Sequence, residues 1–187
     1  MSGRPDTPRA VLLRGVNVGG TNRLPMAGFR SLLEGLGLTR VESFIQSGNA
    51  VFCGGGPDAS LGPAISAAIG AAYGYAPRVF LCGLARLEAA LDHPFGAAAD
   101  PARIHAVFLA EVAPGLDEAR LQAARVDEAW VLRPGLFLLH SPGGTGRSKL
   151  AAVLPRALPV AQTARNLHTV AALVEMLRSR SREDGAG

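Results

Sequence analysis

Two hydrophobic periods alternate along the first half of the chain. In some segments apolar residues form short runs or occupy every second position, which is typical of strands. In other segments they recur at spacings of three and four, which is typical of an amphipathic helix. In order, the pattern predicts a strand at residues 9–14, a helix at 25–36, strands at 41–46 and 50–53, a helix that starts near residues 58–60 and runs to about 73, and a strand at 77–82.

The strands at residues 41–46 and 50–53 are predicted to form a hairpin. Alternation places Val41, Ser43 and Ile45 on one face of the first strand. Ser-Gly-Asn at residues 47–49 supplies the turn chemistry between the two strands. For the helix that follows, we expect a side-chain cap from Asp58 or Ser60.

The second half repeats this order of elements. A helix at residues 84–91 and a linker at 96–103 precede the second half. The second half itself is predicted to contain a strand at 104–112, a helix at 116–125, strands at 129–133 and 136–140, a helix at 148–154, a strand at 160–163 and a helix at 167–177. The repeated order predicts an α+β fold with two tandem ferredoxin-like (βαββαβ) subdomains plus a C-terminal helix. We place the subdomains at residues 9–95 and 103–178, with flexible tails at 1–8 and 179–187.

Composition agrees with a folded protein of the cytoplasm. The chain is 48% hydrophobic and 18% charged, and no apolar segment follows a basic start as in a secretory signal. The most apolar helix, at residues 61–75, is too short and too rich in glycine and proline to cross a membrane. Cys53 and Cys82 lack metal-type spacing, so we expect reduced, buried thiols in a cytoplasmic protein without a membrane partner.

The positive charge of the chain is compatible with an anionic partner. The net charge is +4 and the pI about 9.8, which suits an anionic small molecule or a nucleic acid. The basic residues are scattered, however, and with 5% aromatics there is no stacking surface for single-stranded nucleic acid. Lys149 is the single lysine among 19 basic residues. It is retained either because a compact ammonium is needed there or by chance.

The loop after the first strand is the main candidate site of the N-terminal half. Polar and glycine residues here and in the hairpin turn lie outside the apolar periodic segments: Arg14, Asn17, Gly19, Gly20, Asn22, Arg23, Gln46, Ser47 and Asn49. Backbone N–H groups before a helix bind anions, and arginines add bidentate contacts. The alternative is a structural loop in which the asparagine side chains bond the backbone. The glycines do not fit a dinucleotide-binding fingerprint.

A second glycine loop lies in the C-terminal half. Residues 143–149 read GGTGRSK between a strand and a helix, the context of a phosphate-binding loop but in the wrong order for a P-loop. Ser148 and Lys149 are predicted to bind an anion, or Ser148 simply caps the helix. Arg165 is predicted to face the same ligand. Asn166 either contributes to that site or caps the last helix through the backbone N–H of Thr169.

Established catalytic patterns are missing from the sequence. The four histidines lack metal-ligand spacing, no G-x-S-x-G elbow occurs, and neither cysteine has a basic neighbourhood. We therefore expect no metal and no cofactor, and the catalytic residues of any reaction are unknown. Whether the protein is an enzyme stays open.

The same motifs resemble those of a known bacterial family. LLRGVNVGGTNRLPM and FIQSGNAVF are similar to the "LRGINVGG.N...M" and "YIQSGNVVF" segments of the family catalogued as domain of unknown function 1697. GRSKL and TARNLHTV resemble its "YSRSKL" and "TTRNWNTV" segments, so that the resemblance spans about residues 9–178. Leu167 and His168 stand where the family tends to have Trp and Asn. The resemblance implies a pair of ferredoxin-like subdomains and no established activity.

The leading hypothesis is a protein that binds an anionic or polar ligand. A nucleotide or nucleic-acid phosphate would occupy a cleft between the two subdomains, lined by Arg14, Asn17, Asn22, Arg23, Gln46, Asn49, Lys149 and Arg165. One alternative is an enzyme of phosphoryl- or acyl-transfer type, with Lys149 as electrostatic stabiliser and Ser148 as nucleophile. It lacks a general base. Another is an assembly protein whose sheet edges pair between chains. The oligomeric state stays open.

Overall fold

The computed structural model describes residues 7–113 and 115–184. The described chain is a mixed α+β fold with two four-stranded antiparallel sheets and six α-helices. It divides into two compact units, unit 1 at Met1–Leu87 and Ala172–Gly187, and unit 2 at Glu88–Ala171. Predictions on residues 1–6 and 185–187 lie outside the described residues.

The first sheet is built from the first half of the chain. Its elements are β1 at Arg9–Leu13, α1 at Met26–Gly35, β2 at Thr39–Phe44, β3 at Asn49–Cys53, α2 at Asp58–Tyr73 and β4 at Val79–Cys82. The strand order is β2-β3-β1-β4, and every neighbouring pair is antiparallel. As predicted, the helices connect β1 to β2 and β3 to β4. In this order β1, the first strand of the chain, lies at the centre of the sheet.

The core of unit 1 lies between this sheet and its two helices. Val11 and Leu13 of β1 are fully buried with Phe52 of β3, and the apolar stripe of α1 contributes Phe29 and Leu33. Because burial of a large apolar side chain contributes roughly 1.5–3 kcal/mol, this cluster holds the strand ends and their loops in place. The core therefore fixes where the candidate loops begin.

The structure corrects two predictions around β2 and α2. The strand ends at Phe44, because Ile45 has a positive φ of 50° and begins the turn instead of continuing the alternating face. The strand also begins earlier than predicted, at Thr39, and its pairing with β3 shifts register between Thr39 and Glu42. At α2, Pro57 occupies the N-cap position without a side-chain hydrogen bond, so neither Asp58 nor Ser60 is the expected cap.

The second sheet follows after α3 at Leu84–Leu91. Its elements are β5 at Ile104–Leu109, preceded by a 3-10 turn at Pro101–Arg103, α4 at Glu118–Ala124, β6 at Ala129–Arg133, β7 at Leu136–His140, α5 at Lys149–Ala157 and β8 at Gln162–Asn166. The order is β6-β7-β5-β8, with antiparallel neighbours, as in the first sheet. Leu109, Phe137 and Leu139 of this sheet pack with Leu121 of α4 and Leu150 of α5.

The C-terminal elements extend further than predicted. α5 continues through Pro155 to Ala157, and β8 includes Arg165 and Asn166, which were expected after the strand. The closing helix α6 runs over Leu167–Asp184, so residues 179–184 are helical where a tail was predicted. Its Arg180 explains part of this length, because the buried guanidinium donates to the carbonyl oxygen of Arg40 at 3.0 and 3.1 Å and pairs with Glu42.

Two expectations from composition concern the thiols and the membrane. Cys53 and Cys82 are buried and free of disulfides, which confirms that part of the prediction. Within residues 7–113 and 115–184, no helix combines the length and hydropathy needed to cross a bilayer.

Candidate functional site

Three loops meet at one end of the first sheet. Because the strands are antiparallel, the loop after β1 (residues 14–25), the β2–β3 turn (residues 45–48) and the loop before β4 (residues 74–78) all lie at this end. The hydrogen-bonded pairing of β1 with β4 continues for one residue pair beyond the strands, where the Arg14 N–H donates to the Arg78 carbonyl at 3.0 Å. We call these three segments of unit 1 the basic loop end.

Asn17 joins two of these loops. Its side-chain amide donates to the carbonyls of Leu24 at 2.9 Å and Gln46 at 2.7 Å, and its side-chain oxygen accepts the Leu24 N–H at 2.8 Å. The residue adopts a positive φ of 55°, a conformation that asparagine tolerates better than most residues. Asn17 therefore fixes the loop against the turn, and the predicted structural interpretation of this residue is confirmed.

Asn22 has the same kind of role. Its side chain donates to the Gly15 carbonyl at 2.9 Å, while its own carbonyl accepts from the Tyr75 hydroxyl at 2.9 Å. Gly19 and Gly20, both at positive φ, form the tip of a tight turn closed by the bond from Thr21 N–H to the Val18 carbonyl. Asn22 thus ties the loop after β1 to the loop before β4, and the surface is preorganised.

The hairpin residues of the candidate site are divided between interior and surface. Asn49 is fully buried and donates to the Ser47 hydroxyl at 2.9 Å and to the Phe44 carbonyl. Gln46 is exposed, beside Ile45, whose positive φ is strained for a β-branched side chain. Asn49 and Ser47 therefore hold the turn, and Gln46 presents its amide group to solvent.

Three arginines give this end of the sheet its charge. Arg14, Arg23 and Arg78 are exposed, and within the described residues no carboxylate or other acceptor engages their guanidinium groups. Residues 14–25, 45–48 and 74–78 contain no Asp or Glu at all. Arg14 and Arg78 occupy opposite backbone positions in the extended β1–β4 ladder, so two residues of like charge are cross-strand neighbours. The result is a rigid surface of unneutralised guanidinium groups.

In unit 2, Ser148 is held by two hydrogen bonds. As the N-cap of α5, its hydroxyl oxygen accepts the Ala151 N–H at 3.0 Å, and its O–H donates to the Glu128 carboxylate at 2.5 Å. The capping interpretation of Ser148 is confirmed. Glu128 is 3% exposed, and its other oxygen accepts the backbone N–H groups of Val126 and Asp127.

The charge state of Glu128 follows from these contacts. Burial acts to raise the pKa of its carboxyl, but the hydrogen bonds from Ser148 and from the backbone outweigh burial and lower that pKa. A carboxylate with a lowered pKa is a weak general base. The Ser148–Glu128 pair is therefore arranged for stability and gives no support to Ser148 as a nucleophile.

The other predicted residues of unit 2 lie on different elements. Lys149 is the exposed first residue of α5 and lines an open groove of about 710 Å³ against α4, beside Asp117 and Arg120. Asn166 accepts the Thr169 N–H at 3.0 Å, so the predicted cap of α6 is confirmed. Arg165 is half-buried in β8 and donates to the Thr163 hydroxyl and the Ala164 carbonyl. A cleft shared with the N-terminal residues stays a prediction.

Several residues that line candidate sites in the structure were not predicted from the sequence. Arg78 is part of the basic loop end because it pairs opposite Arg14. This pairing is known only from the order of the strands in the sheet. Arg103, His105 and Arg147 line a separate cavity of about 380 Å³ beside the glycine loop of unit 2. Among the described residues, no group of three or more His, Cys, Asp or Glu side chains is placed to hold a metal ion.

Fold and site together define a class: an α+β protein with two antiparallel four-stranded sheets and a basic loop end on the first of them. The chain belongs to the family described as protein of unknown function (DUF1697), whose model matches residues 7–134. The resemblance read from the sequence is thereby confirmed. Among curated proteins there is no match. The chain is similar to the conserved bacterial protein SP0830 from Streptococcus pneumoniae, with 30% identity over 91% of this chain and 98% of that chain and a TM-score of 0.66.

Proposed function

We propose that this protein binds an anionic ligand, of the nucleotide or phosphate class, at the basic loop end of unit 1. The observation that carries the proposal is the set of three exposed arginines, Arg14, Arg23 and Arg78, in loops without any acidic residue. Elsewhere in unit 1 the guanidinium groups of Arg9 and Arg180 are paired with Asp58 and Glu42.

Four physical arguments support this choice. Like charges opposite each other on a ladder are unfavourable, so a bound anion between Arg14 and Arg78 relieves a repulsion as well as adding hydrogen bonds. The planar guanidinium fork matches phosphate oxygens in pairs. The bonds of Asn17 and Asn22 fix the loops beforehand, which lowers the entropy lost on binding. The exposed amide of Gln46 adds a polar contact at the same end.

The fold supports a finer assignment as part of the same proposal. Each sheet has the strand order and the antiparallel pairing expected of a ferredoxin-like subdomain, and each has its two connecting helices. We assign both units to that class, in a cytoplasmic protein. For the enzyme and assembly alternatives, no contact in the described residues offers specific support.

The proposal is tested by calorimetric titration with pyrophosphate and AMP at constant ionic strength. The Arg14→Ala/Arg78→Ala variant is expected to weaken the binding at this site by at least about a hundredfold, since bonds to charged groups are worth roughly 1.5–3 kcal/mol each. Arg120→Ala is the matched control, because Arg120 is exposed like the others but is already paired with Asp117 at 3.0 Å. Equal affinities of wild type and double variant, or no binding by the wild type, reject the proposal.

A further inference from the structure

The two units can be aligned through their ladder bonds. In unit 1 the Leu13 N–H donates to the Gly48 carbonyl at 2.9 Å, and in unit 2 the Leu109 N–H donates to the Gly135 carbonyl at 3.0 Å. Four residues before each leucine, Arg9 lies opposite Phe52 and His105 lies opposite Leu139. His105 therefore occupies the position in unit 2 that Arg9 occupies in unit 1.

In unit 1 this position is filled and neutralised from within. The Arg9 guanidinium donates to the carbonyls of Gly54, Gly55 and Gly56, in the glycine loop that follows β3. It also pairs with the carboxylate of Asp58, the first residue of α2. One long cationic side chain and one acid thus close the space between the first strand, the glycine loop and the helix.

In unit 2 both partners are replaced. The shorter His105 stands in place of Arg9, and the first residue of the corresponding helix α5 is Lys149 instead of an acid. The space is left as a cavity of about 380 Å³, lined by Arg103, His105 and residues 143–147 of the glycine loop. The internal ion pair of unit 1 thus has no counterpart here.

Most of the polar groups around this cavity lack a hydrogen-bond partner. Arg103 lies against Gly144, where an added Cβ would contact its guanidinium, and its Nε forms a long ion pair of 4.0 Å with the exposed Asp100 carboxylate. Within the described residues, the guanidinium groups of Arg103 and Arg147 make no hydrogen bond. The same holds for the backbone N–H groups of residues 143 and 145–147. The buried Nδ1 of His105 has no partner either.

We propose that this cavity is a second anion site, which takes a phosphoryl group of a small molecule between Arg103, Arg147 and the N–H groups of residues 143 and 145–147. The anion supplies from outside the negative charge that Asp58 supplies in unit 1. Successive backbone N–H groups in a glycine loop before a helix form an anion-binding concavity, and the two guanidinium groups add charge-assisted bonds. This site is independent of the basic loop end.

The test is a calorimetric titration with inorganic phosphate at constant ionic strength, in the Arg14→Ala/Arg78→Ala background that silences the first site. Arg147→Ala and Arg103→Gln are each expected to raise the Kd roughly tenfold to a hundredfold. Arg120→Ala, the paired control, is expected to leave it unchanged. Absence of phosphate binding in the background, or equal affinity in the Arg147→Ala variant, overturns this inference and leaves the first site intact.

A double substitution that copies the ion pair of unit 1 into unit 2 tests the inference more directly than the single substitutions. His105→Arg with Lys149→Asp restores to unit 2 the pair that Arg9 and Asp58 form in unit 1, so the new guanidinium fills the cavity. We expect this variant to lose phosphate binding without a fall in Tm. Undiminished phosphate binding contradicts the inference. If circular dichroism shows that the His105→Arg/Lys149→Asp variant does not fold, the Arg147→Ala titration alone decides.

Discussion

Replacement of Ser148 by alanine separates a structural from a catalytic role for this residue. The change removes the cap bond to Ala151 N–H at 3.0 Å and the bond to the buried Glu128 carboxylate at 2.5 Å. Loss of an N-cap costs about 1 kcal/mol, and a hydrogen bond to a charged group is worth roughly 1.5–3 kcal/mol. We therefore expect Ser148→Ala to lower the free energy of unfolding by about 2–4 kcal/mol.

Urea unfolding followed by tryptophan fluorescence measures this loss of stability in unit 2, the unit that contains Ser148. Trp130, the single tryptophan, lies in β6 of unit 2, two residues after Glu128. Ser148→Thr keeps the hydroxyl and should stay within about 1 kcal/mol of wild type. Ser60→Ala, an exposed serine in the first turn of α2, should stay within about 0.5 kcal/mol. A Ser148→Ala stability within about 0.5 kcal/mol of wild type refutes the capping account.

Two further changes test the charge of Glu128 and the loop contacts of Asn17. Because the folded-state pKa of Glu128 is lowered, its carboxylate stabilises the fold at neutral pH, and this contribution is lost as the pH falls through that pKa. The stability gap between wild type and Glu128→Gln should therefore shrink on acidification in urea titrations, and a gap that widens contradicts the assignment. Asn17→Ala should cost about 2–4 kcal/mol, from three lost bonds and a strained positive φ. Asn17→Gly loses the same three bonds but adopts the positive φ without strain, so it should cost measurably less than Asn17→Ala, and equal costs show that strain is absent.

The order of elements was predictable because apolar periodicity depends on local sequence. The helical stripe that includes Phe29 and Leu33 and the alternation of short strands both follow from which face is buried. The caps of α5 and α6 were predictable for a similar reason, since Ser148 and Asn166 bond N–H groups three residues further along the chain, whereas the predicted cap of α2 was wrong. Ile45 was misplaced because its alternation continued the strand pattern, whereas the turn required a positive φ at that position.

The chemistry of the sites depends on contacts between residues distant in sequence. Arg78 joins Arg14 through pairing of β1 with β4, and nothing near Arg78 in the sequence signals this. Nothing near Glu128 in the sequence signals its burial, which follows from the fold around Ser148. The difference between His105 and Arg9 acquires meaning only once the ladder register of the two sheets is known.

Amide chemical-shift mapping with pyrophosphate tests the central claim most directly. On titration of the wild type at constant ionic strength, saturable shifts are expected in residues 14–25, 45–48 and 74–78. These shifts should vanish in the Arg14→Ala/Arg78→Ala variant and persist in Arg120→Ala. Saturable shifts that spare all three loops, or that survive unchanged in the double variant, contradict the assignment of the basic loop end as an anion-binding site.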